Sequence, residues 1–163
     1  MKVFIKNKLI SLGGSSDILN ENQEPVFRVE GKVVTFTRTK EMFDMENKLL
    51  YTIRNRYFNF LSDKVYVYNA EGVKVATLKK NKFSFNLKYQ ILDTESEMSI
   101  EGKFFKGVSN IIKNGETVAT ITRDFSILND AYILEAEDKD IAFYTALVIA
   151  FDNMLDQKDS DRN

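Results

Sequence analysis

Residues 138–155 read DKDIAFYTALVIAFDNML, and the apolar middle of that stretch, Ile141 to Phe151, narrows the choice of fold more than any other part of the chain. The segment has helical length. Asp138 and Asp140 stand in its first turn, where carboxylates favour the positive end of a helix. Its middle is apolar on every face, so the helix must be enclosed rather than laid on a surface. The apolar run from Ile141 to Phe151 is well short of the ~20 residues that a membrane-spanning helix needs. The tail that follows, DQKDSDRN from Asp156, has nothing to bury and is expected to fray, leaving residues 1–155 as one domain.

What encloses the helix is β-structure, which the pattern predicts up to about Glu135. Phenylalanine (13) and tyrosine (7) are abundant, and the only proline, Pro25, falls at a turn. Period-two alternation is clear in KVYVYN from Lys64 and in KFSFNLKYQI from Lys82. Set against itself, the chain repeats. FIKNKLISLGGSSDIL from Phe4, TIRNRYFNFLSDKVYVY from Thr52, TLKKNKFSFNLKYQIL from Thr77 and TITRDFSILNDAYIL from Thr120 share a β-branched or leucine strand end, basic residues, a polar turn and a second strand. FRVEGKVV from Phe27 and MSIEGKFF from Met98 share a Glu-Gly-Lys strand end, and the turns NAEG and KNGE precede further strands. The spacing is too irregular for a solenoid and suits an antiparallel meander closed into a barrel. The helix then plugs the barrel, which leaves little room for a ligand in the lumen.

Composition removes several chemistries. At 163 residues and 44% apolar content the chain fits one domain with a sizeable core. Lysine plus arginine (23) nearly balance aspartate plus glutamate (24), so electrostatic binding must come from a local patch. Without cysteine there is no disulfide, thiol nucleophile or thiolate metal site, and without histidine there is no Ser-His or Cys-His device. No enzyme is expected, and no cofactor. The start, MKVFIKNKLISLGG, has lysines interrupting its apolar residues throughout, so it is expected to be retained rather than cleaved as a signal peptide. The expected location is cytoplasmic, with a peripheral place at a membrane surface as its extension.

The order IKNKLISL, FRVEGK, TIRNRYFNFLSDKVYVYNAEGVKVATLKKNKFSF, MSIEGKFF, NGETVATITRDFSILNDAYIL and IAFYTALVIAFDNML resembles the LURP-one-related family, from about Phe4 to Leu155. The resemblance implies a tubby C-terminal-like fold: a closed antiparallel barrel of about 12 strands around a hydrophobic C-terminal helix. The wider fold group includes phosphoinositide-binding tubby proteins and phospholipid scramblases, but a fold does not carry function with it. Scrambling is not expected, because EAEDKD from Glu135 lacks a calcium-loop pattern and cysteine is absent. No residue role is carried over from tubby.

The basic clusters are the leading candidate site. Lys6 with Lys8, Arg54 with Arg56, and Lys80 with Lys82 are two residues apart, so each pair lies on one side of an extended chain, and Lys79 and Arg123 hold equivalent places in their repeats. Brought together, they form a cationic rim for anionic lipid headgroups, with Tyr57, Phe58 and Phe83 as interfacial neighbours. The ligand set is Arg54, Arg56, Lys79, Lys80, Lys82 and Arg123. The plainer reading, which takes precedence, is that solvated strand-end cations keep edges from pairing. Glu30-Gly31-Lys32 and Glu101-Gly102-Lys103 read as bulges or tight bends at barrel corners, ahead of a phosphate nest. The carboxylates of DTESE from Asp93 and of EAEDKD read as loop and helix-start residues, ahead of a metal or acid–base pair. Asp152 interrupts the apolar helix, so it needs a hydrogen-bonding partner or a place at the barrel mouth.

Two functions follow. The first is a non-enzymatic binding module for a phosphoinositide-like headgroup at the barrel rim. The second is an interaction or scaffold protein that offers barrel surface to a protein partner. Nucleic acid comes a poor third and is not an expected partner, because the net charge is −1 and tryptophan is absent; single-strand stacking on tyrosine and phenylalanine needs a basic surface stripe.

Overall fold

Alternation of apolar and polar residues turns one side of each strand inward, and the chain realises this twelve times over. The computed structural model describes residues 1–6, 14–32, 38–55, 64–80, 87–103, 107–124 and 131–160, the backbone alone at Leu87, Lys103 and 156–160. The first six strands are β1 (Lys2–Lys6), β2 (Ser15–Asn20), β3 (Pro25–Gly31), β4 (Thr39–Asp44), β5 (Leu49–Asn55) and β6 (Lys64–Asn69). The next six are β7 (Lys74–Lys80), β8 (Leu87–Leu92), β9 (Met98–Lys103), β10 (Val108–Lys113), β11 (Glu116–Asp124) and β12 (Ala131–Ala136). Each pairs antiparallel with its chain neighbours, and β1 pairs with β12, Val3 opposite Leu134 and Ile5 opposite Tyr132, which closes the barrel. Closure leaves no strand edge to template aggregation. The four repeated segments are the β1–β2, β5–β6, β7–β8 and β11–β12 pairs.

After a 3-10 turn at Asp138–Asp140, helix α1 (Ile141–Ser160) runs through the lumen and takes in the first residues of the polar tail. Ala146, Leu147, Val148, Ile149, Ala150 and Phe151 have no exposed surface. Six consecutive residues go more than once round a helix of 3.6 residues per turn, so every face is inside the barrel. The inward residues that meet them include Ile53, Val65, Leu78, Ile100, Ile111 and Leu134, all buried. Each large apolar side chain enclosed this way contributes about 1.5–3 kcal/mol. Phe143 packs on Tyr51 at a ring separation of 6.1 Å near one end of the barrel. Phe151 packs on Tyr89 at 5.0 Å and on Tyr132 at 6.3 Å near the other. Beside Phe151 a cavity of about 10 Å³, lined by Ser109, Ile121, Arg123 and Tyr132, is about large enough for one water.

Connections alternate between the two barrel ends. At the turn end lie the short links 21–24, 45–48, 70–73, 93–97 and 114–115, and the start of α1. Three of these turns are built alike. Asn20, Asp44 and Asn69 each use the side-chain Oδ1 to accept the backbone N–H four residues on. Their fourth residues, Gln23, Asn47 and Gly72, have φ of 65°, 66° and 77°. Register shifts occur at Ile18/Leu19, Met42/Phe43, Val67/Tyr68 and Ile111/Ile112, each toward that end.

The Glu-Gly-Lys reading needs a correction. Gly31 pairs with Lys40, and Gly102 with Leu87 and Ser109, in unbroken register, so neither glycine makes a bulge. Gly102 is there for close approach: a Cβ would stand 2.6 Å from Ser109 Oγ and from the Val108 carbonyl oxygen.

Candidate functional site

At the other barrel end, called the loop end, stand the described strand ends Lys6, Gly31, Asn55, Lys80 and Asp124, and it is where the basic strand ends of the repeats arrive. Of the cations singled out from the sequence, Arg56, Lys82 and Lys8 lie outside the described residues, as do Tyr57, Phe58 and Phe83. Arg54, Lys79, Lys80 and Arg123 come to this one end but divide between two faces.

Arg54 and Lys79 are on the outer wall. Arg54 follows the inward Ile53, is exposed, and stacks its guanidinium 5.7 Å from the Tyr68 ring centroid. Lys79 stands directly opposite Lys64 across β6–β7, a like-charge pair that destabilises a sheet unless an anion lies between. Lys80 and Arg123 have the inward parity of their strands, paired with the buried Tyr89 and Tyr132. The Arg123 guanidinium lies 5.7 Å from the Tyr132 ring centroid.

Pairing separates these cations from their neighbours. Lys32 is tied to Glu41 at 2.7 Å, Lys74 to Asp93 at 3.1 Å and Lys88 to Glu101 at 2.6 Å. The Thr77 hydroxyl first and then Lys74 hold the Asp93 carboxyl below its usual range, and Lys88 followed by Ser99 does the same for Glu101. Both carboxylates are therefore committed. By contrast Arg54, Lys64, Lys79 and Lys80, on three consecutive strands, have no carboxylate among the described residues within ion-pair distance.

The mouth at this end is closed by a buried polar group that links α1 to the barrel. Lys40 Nζ lies 3.6 Å from Asp152 Oδ2, with side chains only 7% and 1% exposed. The Asn153 amide donates to Asn55 Oδ1 at 3.1 Å and toward the Arg38 carbonyl oxygen at 3.5 Å. Asp152 thus has a charged partner and also sits at the mouth. Lys40 and Asn55 were missed in the sequence, although Lys40 shares its parity with the buried Met42, and a lysine at an inward position is a legible signal.

Charge is polarised along the barrel. Glu21, Glu24, Glu71, Glu95, Glu97 and Asp138 gather at the turn end, and the unpaired cations at the loop end. This opposes the dipole of α1, whose positive end starts among carboxylates and whose negative end emerges among cations. Among the described residues no three His, Cys, Asp or Glu side chains come together to hold a metal ion. Among the same residues no helix is long and apolar enough to cross a membrane.

Compared with known proteins, residues 1–152 match the family model described as LURP-one-related. A curated relative, an uncharacterized protein, YxjI, of Bacillus subtilis (strain 168), is 22% identical over 156 residues, covering 95% of this chain and 94% of the relative. No solved structure matches.

Proposed function

The chain belongs to the LURP-one-related family, and on that premise we propose that it is a non-enzymatic binding module that takes an anionic phospholipid headgroup at the loop end of the barrel. The observation that carries this reading is the set of four cations on β5–β7, Arg54, Lys64, Lys79 and Lys80, with no carboxylate of the described residues in ion-pair reach. Two of them face each other across a strand pair, so an anion between them removes a repulsion as well as gaining two attractions. Charge polarity supports the same reading. A surface of anionic lipid attracts the loop end and repels the acidic turns, which orients the barrel axis toward the membrane. The plugged lumen supports a surface site over an internal one, since the space beside Phe151 holds about 10 Å³. The protein partner of a scaffold is the second reading, and among the described residues no particular patch favours it.

Co-sedimentation with liposomes tests the proposal, comparing neutral vesicles with vesicles that contain phosphatidylserine or phosphoinositide, at low and near-physiological salt. We expect capture that needs the anionic lipid and weakens with salt. Replacing Arg54, Lys64, Lys79 and Lys80 together by glutamine is expected to abolish capture and leave the melting temperature near wild type. Absence of capture at low salt, or capture unchanged in the fourfold variant, sinks the proposal.

A further inference from the structure

Headgroup binding makes no use of the aromatic residues on the outer wall of β5–β7. On β6 the residues Lys64, Tyr66 and Tyr68 alternate with the buried Val65 and Val67, so they follow one another outward at intervals of about 7 Å. The two tyrosine rings meet edge to face at 6.4 Å, and both side chains are partly exposed. The strands on either side bring cations to the same surface: Arg54 lies 5.7 Å from the centroid of Tyr68, Lys79 faces Lys64, and Lys74, which also holds Asp93 at 3.1 Å, lies 5.5 Å from the centroid of Tyr66. This is the basic stripe with interleaved aromatics that nucleic-acid binding requires, and it occurs on a wall whose residues are all described.

We propose that this wall binds a short run of single-stranded nucleic acid, with phosphates on Lys64, Lys79 and Arg54 and bases against Tyr66 and Tyr68. Every base has a π-face, so a pair of tyrosines on the outer barrel wall accepts bases without regard to sequence. A duplex keeps its bases stacked on one another and cannot offer them to the tyrosines. With only about three phosphate contacts the affinity is modest and labile to salt. Arg54, Lys64 and Lys79 also belong to the headgroup reading, but the tyrosines do not, so the two proposals fail separately.

The test is fluorescence anisotropy of a labelled oligothymidylate of about 12 nucleotides, within the span of single-strand sites. Wild-type protein is expected to bind it at low salt and to prefer it over a duplex of the same length. Tyr66→Ala and Tyr68→Ala are each expected to weaken binding about fivefold to a hundredfold, whereas Tyr66→Phe keeps it. Lys64→Gln with Lys79→Gln is expected to lower the slope of log K against log salt by about 1.4. Thermal melts confirm that each variant is folded. The proposal is overturned by failure of wild-type protein to bind the oligonucleotide, by equal affinity for duplex, or by unchanged affinity in the Tyr66→Ala, Tyr68→Ala protein. Loss of liposome capture in that protein, with oligonucleotide binding intact, also overturns it and makes the wall a membrane contact.

Discussion

At the level of single residues, the positions that matter are set by neighbours that are distant in the chain. Gly102 reads from the sequence as a bulge or tight bend; its strand pairing holds no bulge, and Ser109 and the Val108 carbonyl occupy the space a side chain needs, both within 2.6 Å of a built Cβ. Backbone on a neighbouring strand cannot move aside as a flexible side chain does. Gly102→Ala is therefore expected to destabilise the protein by about 1–3 kcal/mol, the usual cost of overpacking, read as a lower urea midpoint with an unchanged slope. The same limit explains why Lys40 was passed over. Its inward parity is legible beside Met42, but its partner, Asp152, is more than a hundred residues away.

Among the elements, hairpins and helix were legible because their causes are local. Alternation, turn residues and repetition lie within a few positions of one another, and all four repeated segments became strand pairs. The turns were legible only in part. NAEG from Asn69 carries a glycine and announces itself, but NENQE from Asn20 and DMENK from Asp44 make the same turn without one. In each the Asn or Asp side chain holds the loop, and the fourth residue takes a positive φ. Gln23 does so at φ 65°, which crowds its Cβ against the following carbonyl. Gln23→Gly is expected to stabilise the protein by about 0.5–1 kcal/mol, the left-handed penalty less glycine's greater loss of chain entropy. Thermal denaturation checks it, with Gly72→Gln as the reverse exchange expected to lower the midpoint.

For the whole molecule, the question is what fixes a helix that is apolar on every face inside a barrel that is apolar within. Hydrophobic burial is non-directional and leaves rotation and sliding nearly degenerate. The Lys40–Asp152 pair and the Asn153–Asn55 hydrogen bond supply direction at one end of α1. Asp152→Leu alone takes the carboxylate from beside the buried Lys40 and is expected to cost about 3–5 kcal/mol, whereas Lys40→Met with Asp152→Leu is expected to recover most of that loss. Urea denaturation of the two singles and the double, read as a mutant cycle, checks the coupling. The sequence by itself determined the strand and helix elements, the enclosure of the helix and the exclusion of thiol and histidine chemistry, because propensity, periodicity and composition are properties of neighbouring residues or of none. Only the tertiary structure decided which barrel end collects the cations, which of those cations lack a carboxylate partner, and that Lys64, Tyr66 and Tyr68 share a wall with Arg54 and Lys79. Those are relations across strands, and strand register and closure, rather than spacing along the chain, set them.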